Sequence, residues 1–259
     1  GQLMIDCHTH LDDPRLLPDV QSIAADFEKD GIEFVIDASS DLDGMNNAVA
    51  LAEKFDRIYA TVGFHPSDCE AFCDKTAMLM ESYAKNPKVV AVGEIGLDYH
   101  YDTPPRETQR KAFVSQLGLA AECGLPVVLH VRDAYGDALE TLKANRGLLK
   151  NGVLLHCYSG SAEMAAEFLK FDCFFSFGGA ITFKNARKEE VIRAIPREKL
   201  LTETDAPYLT PEPFRGKLNS PKYIKYVYEK IAAVLGVSFA ETESLVRKNA
   251  AALFGRIKI

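Results

Sequence analysis

The chain has 259 residues, 47% hydrophobic and 26% charged, with a formal net charge of −7. This is the composition of a soluble globular protein, long enough for one large α/β barrel or two ordinary domains and too apolar for a disordered chain. The acidic balance argues against a surface that coats nucleic acid, and no apolar run approaches the ~20 residues that cross a bilayer, so no membrane partner is expected.

The N-terminal residues lack the basic, apolar, then small-residue order of a secretory signal. The six cysteines form no CxxC pair, and most sit in apolar segments, which points to a reduced, cytoplasmic protein.

Eight short runs rich in Val, Ile, Leu and Phe follow one another: Leu3–Cys7, Phe34–Ala38, Ile58–Val62, Val89–Val92, Val127–Leu129, Val153–Leu155, Cys173–Phe177 and Leu200–Thr202. They are apolar throughout rather than alternating, as strands buried on both faces are. Segments of helical period lie between them. Gln109 to Cys123 aligns Ala112, Phe113, Gln116, Leu117, Ala120 and Ala121 on one face, and Pro221 to Leu235 aligns Ile224, Val227, Tyr228, Ile231 and Leu235. Ser238 and Glu241 form a capping box for a last helix that stops near Gly255. Eight strands alternating with helices predict a (β/α)8 TIM barrel, a single domain over residues 1–259. The alternative, an open doubly wound sheet, would carry a glycine-rich phosphate loop, and Gly178-Gly179 is not one.

Polar residues follow the strand candidates in a regular way. The first runs into His8-Thr9-His10, whose imidazoles share one side of an extended backbone. The third leads to Gly63-Phe64-His65-Pro66, the fourth to Gly93-Glu94-Ile95-Gly96-Leu97-Asp98-Tyr99-His100, the fifth to His130-Val131-Arg132-Asp133, the sixth to His156-Cys157-Tyr158-Ser159-Gly160 and the eighth to Glu203-Thr204-Asp205-Ala206-Pro207. In a barrel all these tips meet at the C-terminal face. A lone histidine at a strand end is usually hydrogen-bonded structure, but so many at one rim call for a shared cause. His8, His10, Glu94, His130, His156 and Asp205 suffice for two divalent ions with a shared carboxylate. His65, followed by a turn-fixing proline, reads as a substrate-contacting residue rather than a ligand. Arg132 points to the same side as His130 and suits an anion; its bland alternative is a salt bridge to Asp98 or Glu94.

These segments, with Ile5-Asp6-Cys7-His8-Thr9-His10-Leu11-Asp12 at the start, Ser176-Phe177-Gly178-Gly179 and the specific Glu203-Thr204-Asp205-Ala206-Pro207-Tyr208-Leu209 near the end, resemble the TatD-like metal-dependent hydrolases of the amidohydrolase superfamily over essentially the whole chain. The resemblance implies that one ion takes His8, His10 and Asp205 and the other His130 and His156, with Glu94 bridging. Mixed imidazole and carboxylate ligation suits Zn²⁺, Mn²⁺ or Co²⁺, while nucleases of the family are described as Mg²⁺-dependent, so two divalent ions, Zn, Mg or Mn, are expected. It further implies a metal-dependent deoxyribonuclease, a 3′→5′ exonuclease on single-stranded or damaged DNA ends, in which Asp205 moves the proton of the attacking water and Glu94 supports the catalytic ions.

His65, Arg132 and Tyr99 are the candidate substrate contacts. Lys184, Arg187, Arg215 and Lys217, in later loops, are equally phosphate-holding or solvated, and His100 carries no preference. Two stretches depart from the family pattern: Lys217-Leu218-Asn219-Ser220-Pro221, and His100-Tyr101 after Tyr99. Both bear on substrate rather than metal. The alternative reaction is hydrolysis of a C–N or C–O bond by a deacylase or lactonase, and a non-catalytic binding protein is the rival from another class. With no Trp and no aromatic-plus-basic stripe in the sequence, extended single-strand binding has no support besides the resemblance. The oligomeric state stays open between monomer and higher forms.

Overall fold

The computed structural model describes residues 3–259. Eight strands pair in parallel in sequence order: β1 (Met4–Thr9), β2 (Ile32–Asp37), β3 (Ile58–Val62), β4 (Val89–Asp98), β5 (Val127–Arg132), β6 (Val153–Leu155), β7 (Phe174–Phe177) and β8 (Leu200–Thr202). Between β8 and β1 the seam is held at the strand ends. Thr202 Oγ1 donates to the Ile5 carbonyl at 2.8 Å, Asp205 N to His8 O at 2.8 Å and His10 N to Ala206 O at 2.8 Å. Around the strands lie α1 (Val20–Ala25), α2 (Leu42–Lys54), α3 (Asp74–Ala84), α4 (Arg106–Cys123), α5 (Tyr135–Ala144), α6 (Ala162–Leu169), α7 (Glu189–Ala194), α8 (Ile224–Leu235) and α9 (Phe239–Leu253). The fold is the (β/α)8 barrel that the alternation of elements predicts.

The strands read as continuous apolar runs because both faces are covered: all of β1 is buried, and all of β4 except Asp98. β1, β4 and β5 run further than their apolar stretches suggest, taking in His8, Glu94, Asp98, His130 and Arg132. Backbone pairing is indifferent to side-chain polarity, so the ladder continues past the apolar core, matching Gly96 with His130 and Asp98 with Arg132. β2 starts earlier than predicted, at Ile32, and ends at Asp37. Gly96 is required where β4 meets β5: its φ is 141°, and a Cβ there would lie 2.1 Å from the His130 carbonyl oxygen.

The helices stop and start where their caps dictate. α4 ends at Gly124 (φ 69°) and α8 at Gly236 (φ 67°), both left-handed. A 3₁₀ turn over Pro221–Tyr223 precedes α8, so the helix begins later than its apolar pattern. The Ser238 and Glu241 side chains reciprocally cap α9. Among the described residues no helix is long and apolar enough to cross a membrane.

Candidate metal centre

At the C-terminal end of the barrel, six side chains from five strand ends cluster together, with Glu94 at the middle. Its Oε2 lies 3.4 Å from His8 Nε2 and 3.4 Å from His10 Nε2; its Oε1 lies 3.2 Å from His130 Nδ1 and 3.0 Å from His156 Nε2. Asp205 completes the first group, with Oδ1 at 3.5 Å from His8 Nε2 and 3.1 Å from His10 Nε2. The two oxygens of one carboxylate thus face two separate sets of donors. Three-residue groups able to hold a cation include His8, His10 and Glu94; His8, His156 and Asp205; and Glu94, His130 and His156.

Hydrogen bonds on the outer ring nitrogens decide which histidines can offer a lone pair inward. His10 Nδ1 donates to the Ala38 carbonyl at 2.9 Å, so this nitrogen carries a proton and Nε2 is the one turned into the cluster, 3.1 Å from Asp205 Oδ1. His130 Nε2 faces Asp98 Oδ2 at 2.9 Å, and His156 Nδ1 faces Glu203 Oε1 at 3.4 Å. Each is the imidazole–carboxylate pairing that orients a ligating histidine. His8 is fully buried, and among the described residues neither ring nitrogen has a hydrogen-bond partner. An unpartnered polar atom in a protein interior costs about 1–3 kcal/mol, a cost that coordination would remove. The residues around Glu94 therefore fit divalent-cation binding.

His65 has the opposite arrangement. Its Nδ1 accepts from the Ser67 backbone N–H at 3.0 Å, so in the neutral ring Nε2 bears the proton, 3.9 Å from Glu94 Oε1. Burial, then the neighbouring His130, pushes its pKa down to about 3 and keeps the ring neutral. In this tautomer His65 presents an N–H donor to the cleft, although with Asp98 and His130 it also forms a group whose donor atoms lie close enough to hold a cation.

The charges compensate one another. Burial raises Glu94, but the positive potential of His8 and His156 and the hydrogen bonds of His130 and His156 outweigh it and hold the carboxyl well below the usual range. Asp205 is lowered in the same way, chiefly by His10. In return, burial lowers His10 but the Asp205 hydrogen bond and the Glu94 charge push it up to about 10, and Glu203 and Glu94 raise His156. Two ionised carboxylates under four imidazoles create a demand for positive charge that protons or divalent cations can meet.

These groups open into a cleft of about 1220 Å³ that also admits His65 and Arg132. Arg132 is exposed and pairs with neither Asp98 nor Glu94; among the described residues it has no ion-pair partner. Tyr99 is not in the cleft lining. It is buried, its hydroxyl donates to Asp137 at 2.6 Å, and Arg106 covers its ring at 4.1 Å. His100 faces Asp133 at 3.4 Å, outside the lining.

Sequence reasoning passed over Asp98 and Glu203 as positioning residues, although both stand at even spacing from a candidate ligand on an extended segment, Asp98 from Glu94 and Glu203 from Asp205. It also passed over Asp6, which accepts from Thr204 N at 2.9 Å and from the Thr204 hydroxyl, tying β1 to the turn that carries Asp205.

Barrel, cleft and donor set together define a metal-dependent hydrolase. Residues 5–255 match the model of the TatD related DNase family, and the chain belongs to that family. It is 40% identical over 253 residues, 97% of this chain and 99% of the relative, to the uncharacterized metal-dependent hydrolase YabD of Bacillus subtilis. It is 30% identical over 258 residues, covering 97% of this chain and 99% of the relative, to a protein of Enterobacter lignolyticus named 3′-5′ ssDNA/RNA exonuclease TatD. Among solved structures, the TatD homologue YjjV of Escherichia coli superposes with a TM-score of 0.91 at 31% identity, covering 97% of this chain and 98% of that one.

Proposed function

We propose that this protein is a phosphodiester hydrolase that removes nucleotides from the 3′ end of single-stranded or damaged DNA, using two divalent cations. One would be held by His8, His10 and Asp205, the other by His130 and His156, and Glu94 would give one oxygen to each. The observation that carries the reading is the division of Glu94 between two donor sets in a cleft that also holds an arginine with no ion-pair partner among the described residues. A relative named as a 3′-5′ ssDNA/RNA exonuclease supports the substrate class.

When bound, a pair of divalent cations activates water for attack and neutralises charge on the phosphoryl oxygens. The chain's own groups do the rest. Asp205 is slightly accessible at the cleft and takes the proton of the attacking water on its carboxylate. Arg132 holds a non-bridging phosphate oxygen through its guanidinium. His65 Nε2–H donates to a second phosphate oxygen, with Ser67 keeping the tautomer. Asp98 and Glu203 keep the rings of His130 and His156 aligned.

One observation favours a second reading. The cleft is lined by Asp12, Asp13, Asp41, Asp43 and Asp68 as well as the acids of the centre. That lining suits a small amide or lactone better than a polyanion, and a deacylase or lactonase would use the same centre. Metal analysis of the purified protein, then assays of 3′-labelled oligonucleotides, amides and lactones with that metal, separates the two. Metal-dependent release of 3′ nucleotides supports the nuclease. Turnover of amides or lactones with no action on oligonucleotides replaces it with the second reading.

A further inference from the structure

The cleft is divided by charge, and the division gives the substrate a direction. On the margin formed by the loops after β1, β2 and β3 stand Asp12, Asp41, Asp43 and Asp68. Asp13 beside them is neutralised by Arg15 at 3.0 Å, but Asp43 and Asp68 are exposed and have no ion-pair partner among the described residues. Burial and the charge of Asp41 push the Asp68 carboxyl up, a sign that these acids feel one another. Beyond the His65 N–H next to the centre, a phosphate chain laid across this margin meets a row of like charges.

The loops after β5 to β8 are different. Arg132 and Ser159 line the cleft there, and Lys188 Nζ reaches the Ser159 carbonyl at 3.5 Å without an ion-pair partner among the described residues. Ala180 and Leu209, also in the lining, belong to two packed segments: a Cβ on Gly179 would meet the Leu209 carbonyl oxygen at 2.0 Å, and Glu212 N donates to Thr182 Oγ1 at 2.9 Å. These segments lead outward to Phe183 and Arg215, whose guanidinium lies 3.7 Å from the Phe183 ring centre. A cation over an aromatic ring is a platform on which any base can stack. The sequence shows no such aromatic-plus-basic stripe because its members come from separate loops.

We propose that a single strand is bound by its end, its terminal nucleotide at the metal centre and the rest of the strand leaving over Arg132, Lys188 and the Phe183–Arg215 platform, while the acidic margin bars passage to the other side. This rests on the nuclease reading and adds to it a direction of entry and a physical reason for acting on ends. A strand that cannot continue past the cleft must present a terminus.

Lys188→Gln/Arg215→Gln tests the exit path. The full-length variant, checked for wild-type metal content and thermal transition, is compared with wild type on dinucleotide and dodecanucleotide DNA. The ratio of kcat/KM for the longer to the shorter substrate should fall about tenfold or more, since stacking one base contributes roughly that much. The slope of log affinity for fluorescein-labelled dT12 against log salt, read by anisotropy, should become shallower by about 1.4 for two lost phosphate contacts on a single strand. An unchanged ratio and an unchanged slope would overturn the exit path. Wild-type protein should leave a closed single-stranded circle intact, and Asp43→Asn/Asp68→Asn should begin to cut it; rapid cutting of the circle by wild type also overturns the proposal. Absence of hydrolysis on every nucleic acid by wild type would strike down the nuclease reading itself, and the anisotropy comparison would still decide whether the path binds a strand.

Discussion

Asp205 shows how much one side chain is asked to do. It lies 3.1 Å from His10 and 3.5 Å from His8, so it can serve as ligand, proton acceptor or both. Asp205→Asn keeps the shape and one ligating oxygen but accepts no proton. If proton transfer is its task, kcat should drop by ~10²–10⁴-fold while KM and the occupancy of the His130/His156 side are retained. Restoration of activity by excess Mn²⁺ would reassign Asp205 to holding metal alone. Glu203 acts one step further out, since it is wholly buried, meets the centre at His156 Nδ1 at 3.4 Å and accepts from the Ser176 hydroxyl. Glu203→Gln should weaken metal affinity by ~10–100-fold in a chelator competition, as removal of an orienting partner does. Equal affinity in the two proteins would reduce Glu203 to a packing role.

At the scale of elements, the junction of β4 and β5 sets the site. These strands carry Glu94, Asp98, His130 and Arg132, and their register pairs Gly96 with His130. The close approach depends on the missing Cβ of Gly96, which would otherwise lie 2.1 Å from backbone. Gly96→Ala should therefore destabilise the protein toward the upper end of the ~1–3 kcal/mol typical of overpacking, and should also lower metal affinity by displacing His130. Denaturant unfolding and a metal titration measure the two effects. Loss of stability with full metal affinity would show that β5 can shift without moving the centre. The apolar pattern predicted both strands but cut them short at Val92 and Leu129, because a hydrophobicity reading sees the core and not the backbone ladder that continues beyond it.

For the whole molecule, the centre couples stability to pH and to metal. In protein stripped with a chelator, His10 is pushed up to about 10 from 6.5. Its protonated form stabilises the fold fully below about pH 6.5, and that contribution is lost as pH rises through about 10. His130 and His156 are raised in the same direction. Glu94 and Asp205 are depressed, so their contribution is present above the ordinary carboxylate range and lost on acidification. Divalent ions replace the protons and compete with them. The Tm gained on adding metal to the stripped protein should then be smallest near pH 6 and grow toward pH 10. Parallel Tm curves across that range would show that the cluster does not take up protons in place of metal.

The sequence alone determined the barrel, because burial on both faces leaves short apolar runs that alternate with helical segments. It also placed the candidate ligands at one rim, because a parallel barrel puts every strand's C-terminal end on the same side and an extended backbone sends alternate residues the same way. Those are local rules, written in spacing. Tertiary structure decided what spacing does not encode. Tyr99, the residue after Asp98 at the end of β4, turns away to Asp137. Arg132 does not pair with Asp98 although Asp98 is its ladder neighbour, because His130 takes that carboxylate. The tautomers of His10 and His65 depend on Ala38, far off in sequence, and on the turn at Ser67. The acidic margin and the Phe183–Arg215 platform are each assembled from loops that follow different strands, and such neighbours exist only once the barrel has closed.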